Sequence, residues 1–274
     1  RKEELIMSVS LFQGILLTVM AIVVGVDFFL EAFFIFRPLI VSTLTGAILG
    51  DVTLGLKVGA LIELAFAGLT PAGGTQPPNP VFAGLMGTVL AYTTGCSPEE
   101  ALAYSLPFSF LGQYLILFFY SAFSFFMNQA DEACKNADVK KIAQINFTCT
   151  GIVALAYGLL AFLCAYAAQE PMKALVNALP EVVTHGLEVA GGILPAVGFG
   201  MLLRVMMKAK YTPYLIAGFL MACFCDMPNL LPVALLGTIF ALIDFFGAKQ
   251  RQEDIAAALA NVTTNREGDD NYGI

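Results

Sequence analysis

Long apolar runs separated by short polar stretches organise this chain. Leu5–Val26, Ala101–Ala130 and Ile142–Gln169 carry no charged residue. A helix that crosses a bilayer needs about 20 mostly apolar residues, so each run predicts one crossing. Gly186–Leu203 predicts another. Tyr211–Cys225 and Met227–Ile243 flank Asp226 and predict a hairpin of two short spans. Backbone groups in lipid must be satisfied within the segment, which selects helices for such runs. The pattern therefore predicts an all-α, polytopic membrane bundle. The first run leads straight into further apolar sequence without a convincing cleavage site, so it is expected to remain as a membrane helix.

The polar stretches set the organisation. Residues 128–141 hold Lys135, Lys140 and Lys141 and read as a cytoplasmic loop joining two halves, 1–127 and 142–248, of a membrane domain spanning 1–248. Arg204, Lys208 and Lys210 form a second basic cluster, and Lys249 and Arg251 a third. If Ile142–Gln169 runs outward, Gly186–Leu203 returns, and the 211–243 hairpin goes out and back, all three clusters share the cytoplasmic side, as basic loops do. Residues 249–274 turn polar and predict a cytoplasmic tail with a short helix around Asp254–Asn261 followed by disorder.

Composition narrows the class. Of 274 residues, 58% are hydrophobic and only 13% charged, against about 25% charged in soluble domains. That excludes an ordinary soluble globule and a disordered chain. The net charge of −7 argues against nucleic acid, whose binding rests on Lys and Arg at phosphates. The six cysteines form no CxxC pair and the single histidine, His185, lies far from them in sequence. No metal site is expected, since zinc needs about four convergent ligands, and the cysteines read as small buried hydrophobes. With no Trp, an interfacial belt must use Tyr and Phe.

Charges and helix breakers inside the apolar matrix carry the chemistry, because an ionisable group at membrane depth faces a cavity or a partner. Asp27 and Glu31 lie four apart, on one helical face, and read as interface or helix-end residues. Arg37-Pro38 should break or kink the helix. Glu63 sits in a small-residue helix from Gly59 to Gly68. Glu181, His185 and Glu188 share one face. Two segments then interrupt the apolar pattern, TPAGGTQPPNP at 70–80 and GGILPAVGFG at 191–200. Irregular backbone at membrane depth is tolerated only where it lines a protein or water cavity. Paired Gly/Pro-interrupted segments in two halves point to the binding site of a transporter built from inverted repeats with re-entrant or broken helices; exposed extracellular loops are the plainer alternative. Thr75, Gln76 and Asn79 offer neutral donors and acceptors, and Glu63, His185 and Glu188 could bond further. A neutral polyol such as a sugar suits that set. A facilitator or channel, or a scaffold subunit with the sugar site on a partner, suits the residues too.

The same motifs resemble a known family. FRPLIVSTLTGAILGD (36–51) and LPEVVTHGLEVAGG (179–192) resemble the mannose/sorbose-type enzyme IIC of the bacterial phosphotransferase system, and the resemblance extends to about Phe246. Residues 70–80 resemble its N-acetylgalactosamine/galactosamine branch. Mannose-type members have a less proline-rich segment there. They also tend to carry Asn where this chain has His185 and Glu188, and an acid near Asn79. The resemblance implies a multi-pass protein of the bacterial cytoplasmic membrane, with no cofactor and no catalysis of its own. It implies a membrane partner, enzyme IID, in a trimer of IIC–IID pairs, and cytoplasmic enzymes IIA and IIB. Sugar would cross by an elevator-type motion and be phosphorylated from a phosphohistidine on IIB. The implied substrate is an amino sugar, with Glu63, Thr75, Gln76, Asn79, His185 and Glu188 as the expected substrate-binding residues.

Overall fold

The computed structural model describes residues 8–69, 77–167, 171, 174, 180–225 and 231–269, with backbone alone at Glu181 and 257–269. Among these residues every long element is a helix: α1 (Leu11–Leu30), α2 (Pro38–Leu49), α3 (Val52–Phe66), α4 (Pro80–Thr94), α5 (Pro98–Ala122), α6 (Ser124–Lys135), α7 (Val139–Phe162), α8 (Glu181–Met206), α9 (Thr212–Phe224) and α10 (Leu231–Asp269). Five helical stretches are long and apolar enough to cross a membrane: α1, α5, α7 with its following turn, α8 and the start of α10. The protein is an all-helical membrane bundle. Its chain forms two compact units, Arg1–Val205 and Met206–Ile274.

In the first unit, α1 begins at a capping box, where the Ser10 hydroxyl and the Gln13 side chain each take the other residue's backbone N–H. Its two faces are both apolar but differ in size. Leu11, Ile15, Val19 and Val23, four apart, are exposed and suit lipid tails, whereas Gly14, Leu17, Ala21, Val24 and Phe28 are buried. The buried face packs on α7. Gly25 makes that fit possible, because a Cβ there would overlap the ring of Tyr157.

The short helices α2, α3 and α4 form the core with α5. Asp51 caps α3 by accepting the Leu54 N–H at 2.9 Å. Ser42 of α2 donates to the Gly84 carbonyl of α4 at 3.1 Å. A turn at Gly95–Ser97 joins the end of α4 to the start of α5, so these two ends share one rim of the unit. From there α5, with 25 residues, runs about 37 Å, whereas α4, with 15, runs about 22 Å. Asn79, at the start of α4, pairs with Ser109 through Asn79 N–H to the Ser109 carbonyl and Ser109 Oγ to the Asn79 carbonyl, both at 2.9 Å. Ser109 lies about 17 Å along α5. The proline-bearing chain therefore enters α4 inside the depth of the bundle. Residues 70–76 of that segment lie outside the described residues.

Three expectations change. Residues 128–141 are not a loop: α6 runs to Lys135, Ala137 turns the chain in a left-handed conformation (φ 53°) and Asp138 caps α7 by accepting the Lys141 N–H at 3.1 Å. The amphipathic α6 folds because its apolar side, with Ala133, faces α7 while Asp131 and Lys135 stay in water. The segment 191–200 is unbroken helix inside α8, with Pro195 in its interior; proline is tolerated in membrane helices because local adjustment re-satisfies the freed backbone group. The tail is no short helix either, since α10 runs without interruption from Leu231 to Asp269. Pro232 stands in its first turn, where proline is tolerated, no proline follows, and Ala256–Ala260 is rich in helix formers.

α8 runs from the rim that holds the start of α5 toward the other rim. A Cβ on Gly191 would overlap the Glu99 carbonyl, and one on Gly198 would overlap the Leu64 carbonyl. Leu194, between them, packs into the cluster of Val58, Ile62, Ala65 and Leu102. The last turn of α8 bears Arg204, about 20 Å along the helix from Gly191. In the second unit α9 packs on α10, with Tyr214 and Phe240 rings 5.6 Å apart.

Gly25→Ala should lower the thermal midpoint of the purified protein by overpacking, at a cost of about 1–3 kcal/mol. Gly151→Ala in α7, where a Cβ meets nothing within 4 Å, should leave the midpoint unchanged or raise it slightly.

Candidate functional site

Four helix ends meet at mid-depth in the first unit: the end of α1, the starts of α2 and α4, and the end of α3. Such ends leave backbone N–H and C=O groups without intrahelical partners. In a bilayer, side chains must supply those partners, and the side chains that do so here are mostly charged.

Glu63 is the centre of the arrangement. It lies on α3 about 17 Å from the helix start and is half-buried. Its Oε1 accepts the Arg37 Nε–H at 2.7 Å and also pairs with the second guanidinium nitrogen. Its Oε2 accepts the Leu39 N–H at 3.2 Å, in the first turn of α2. One carboxylate thus neutralises Arg37 and caps a helix N-terminus, where negative charge is favoured. Arg37 itself has no side-chain capping bond, and Pro38 follows in the first turn. A carboxylate offers about four acceptor positions, so Glu63 keeps spare acceptor capacity.

Asn79 forms the second centre. It is buried, and its Oδ1 accepts the Val81 and Phe82 N–H groups at 3.0 and 3.3 Å, closing the start of α4. Its Nδ2 donates to the Tyr157 hydroxyl at 2.6 Å. Tyr157 stacks obliquely on Phe82, with centroids 5.3 Å apart, and lies against Gly25. Both polar ends of Asn79 are engaged by the protein, so its evident task is to fix the end of the proline segment.

The other expected residues lie apart. Thr75 and Gln76 fall outside the described residues. His185 and Glu188 pair on α8, with Nδ1 and Oε2 3.4 Å apart, and both are exposed. Glu188 precedes Gly191 by one turn, and Gly191 lies against Glu99 in the first turn of α5. This pair therefore stands near the rim that holds the start of α5, while Glu63 and Asn79 are at depth. The chain just after α3 does approach α8: a Cβ on Gly68 would lie 2.5 Å from the Gly198 carbonyl and 2.6 Å from Met201 Cβ.

At the rim that holds the α4–α5 turn a cavity of about 390 Å³ opens between the α2–α3 and α4–α5 turns, lined by Asp51, Tyr92 and Cys96 among others. Burial pushes the Cys96 thiol up to about 11, so it is protonated at neutral pH and no nucleophile. The cysteines divide: Cys164 is buried, whereas Cys134, Cys223 and Cys225 are exposed, contrary to a uniformly buried reading.

Arg37 and Tyr157 escaped the expected site. Arg37 had a signal, being the sole basic residue between Lys2 and Lys57 and so in need of a carboxylate. Tyr157 had none, since its partner Asn79 is 78 residues away in sequence.

A family model described as the PTS system sorbose-specific iic component matches residues 11–243. The chain is 58% identical to N-acetylgalactosamine permease IIC component 1 of Escherichia coli (strain K12), over 97% of this chain and 99% of that protein. A solved structure described as a membrane protein matches with a TM-score of 0.79 at 28% identity, covering 87% of this chain and 96% of that one. The mannose transporter ManYZ in complex with microcin E492 matches with a TM-score of 0.57, also at 28% identity and the same coverage.

Tyr157→Phe should lower the thermal midpoint by the equivalent of about 1–3 kcal/mol, because it leaves the buried Asn79 amide unpaired. Tyr166→Phe, whose ring also faces α1, is the control and should shift the midpoint less.

Proposed function

Because the chain belongs to the sorbose-specific IIC family of phosphotransferase-system membrane components, it is a sugar-translocating subunit of the bacterial inner membrane, and we propose that its cargo is N-acetylgalactosamine or galactosamine. The observation that carries the cargo is the 58% identity, over nearly full length, to an N-acetylgalactosamine permease subunit. The lower identity of 28% to the mannose transporter fits a different sugar.

As a IIC permease subunit the chain works with other components of its phosphotransferase system. The membrane partner is enzyme IID, in a trimer of IIC–IID pairs, and the phosphoryl group comes from a phosphohistidine on cytoplasmic IIB, recharged through IIA. The sugar site is centred on Glu63. Charged acceptors make the stronger hydrogen bonds to hydroxyls, and Glu63 combines a pinned carboxylate with spare acceptor positions. Thr75 and Gln76, on the segment that Asn79 anchors, complete the hydroxyl contacts. His185 and Glu188 stand at the rim-side mouth of the same path. Translocation is an elevator-type movement, for which the seam at Gly68 and Gly198 is suited, since no side chain from either glycine interlocks the two backbones. Two-sided access requires two states within a few kcal/mol of each other.

The test is uptake of labelled galactosamine and N-acetylgalactosamine by inside-intact vesicles that contain the complete system. Sugar phosphate should accumulate; free sugar alone would favour a non-phosphorylating facilitator. Glu63→Gln, at equal membrane abundance, should weaken uptake about 10- to 100-fold, corresponding to roughly 1.5–3 kcal/mol for a lost charged acceptor. Wild-type uptake by Glu63→Gln would refute the pocket assignment and leave a scaffold role with the sugar site on the partner.

A further inference from the structure

We infer that Asp27 is a positioning residue for the transport site, holding Arg37 in the place from which it orients Glu63; the inference rests on the proposed role of Glu63. Asp27 lies in the last turns of α1 and is only 4% exposed. Its carboxylate does not point along the helix into lipid. It turns into the connection between α1 and α2, where Oδ1 accepts the Phe33 N–H at 2.6 Å and Oδ2 accepts the Ile35 N–H at 2.7 Å. Its own carbonyl accepts the Glu31 N–H at 2.7 Å. One residue thus gathers three backbone donors of a seven-residue connection.

That connection needs to be held. Glu31 and Phe34 both have left-handed backbones, at φ 49° and 59°, an unfavourable conformation for a side chain as large as Phe34. Strain of this kind persists only where the surroundings over-determine it. The two carboxylate bonds are that surrounding, since bonds to a charged acceptor are short and strong. Phe36 adds to the grip by meeting Phe28 of α1 edge to face at 5.1 Å. The connection delivers the chain to Arg37, whose N–H reaches the Phe34 carbonyl at 3.4 Å. There Arg37 opens α2 and turns its guanidinium onto Glu63. Asp27 touches neither Arg37 nor Glu63 in this network; it acts through the backbone between them. Its level in the bundle is that of the transport site, because Gly25, two residues earlier, faces the Tyr157 ring whose hydroxyl holds Asn79.

A purely structural Asp27 would affect the amount of protein, and any transport defect would multiply independently with defects at Glu63. A positioning Asp27 predicts otherwise. In vesicles containing the complete system, Asp27→Asn should raise the KM for sugar roughly tenfold at unchanged membrane abundance and with a smaller change in kcat. In a Glu63→Gln background the same substitution should raise KM no further, because the carboxylate it orients is gone. Asp27→Glu keeps charge and acceptors but lengthens the reach by one methylene; it should give an intermediate KM and serves as the reporter if Asp27→Asn is not found in the membrane. If Glu63→Gln impairs uptake but the Asp27 variants keep a wild-type KM, or their effect multiplies undiminished in the Glu63→Gln background, the positioning role is overturned while the pocket at Glu63 stands. If Glu63→Gln itself transports normally, the pocket assignment fails and this inference fails with it.

Discussion

Helices α2, α3 and α4 are too short to cross a bilayer, and their inner ends stop where water cannot finish their hydrogen bonds. The starts of α2 and α4 are closed by side chains. Glu63 of α3 covers the first turn of α2, Asn79 closes α4 while Tyr157 of α7 holds the amide, and Asp27 of α1 takes the donors of the connection into α2. An uncompensated polar group at that depth costs several kcal/mol. The charged and amide side chains in the apolar matrix are therefore fixed by the backbone they satisfy. Their clustering follows from that requirement, and it also concentrates hydrogen-bonding capacity in one region of the membrane.

This arrangement lets hydrogen-bonding groups sit at depth in a stable bundle. The Arg37–Glu63 pair carries no net charge, so its cost at depth is moderated, yet the carboxylate retains acceptor positions. The seam between α8 and the end of α3 is made by backbone against backbone at Gly68 and Gly198. Firm anchoring on the α1–α7 side and a smooth seam on the α8 side divide the unit into a held part and a sparsely interlocked part.

Much of the fold was legible in the sequence. Charge-free runs long enough to span gave α1, α5 and α7, and an apolar run with one acid gave α8, because lipid removes the ambiguity between helix and strand. Asp27 and Glu31 read as helix-end residues, and Asp27 does close the end of α1. The short helices were harder, since 12 to 15 residues cannot be recognised as spans by length. Pro195 misled because proline usually interrupts a helix, and a single missing bond within a long membrane helix is too small a defect to do so. The polar stretch at 128–141 misled for the opposite reason: amphipathic helices at an interface look like loops when only polarity is counted. At the site, the pairing of Glu63 with Arg37 was open to charge arithmetic, whereas Asn79 with Tyr157 required knowing that α4 and α7 are neighbours.

The contact of α1 with α7 also sets an order of assembly. Gly25 and Tyr157 are separated by more than a hundred residues of chain. At ribosomal rates of about 5–20 residues per second, the first helix waits on the order of ten seconds in or beside the insertion machinery before its partner emerges. Throughout that interval its small-residue groove has nothing to enclose, while the carboxylate near its end already has the neighbouring turn to satisfy it. A helix made early is thus locked late, and the turn that follows it is its safeguard during the wait.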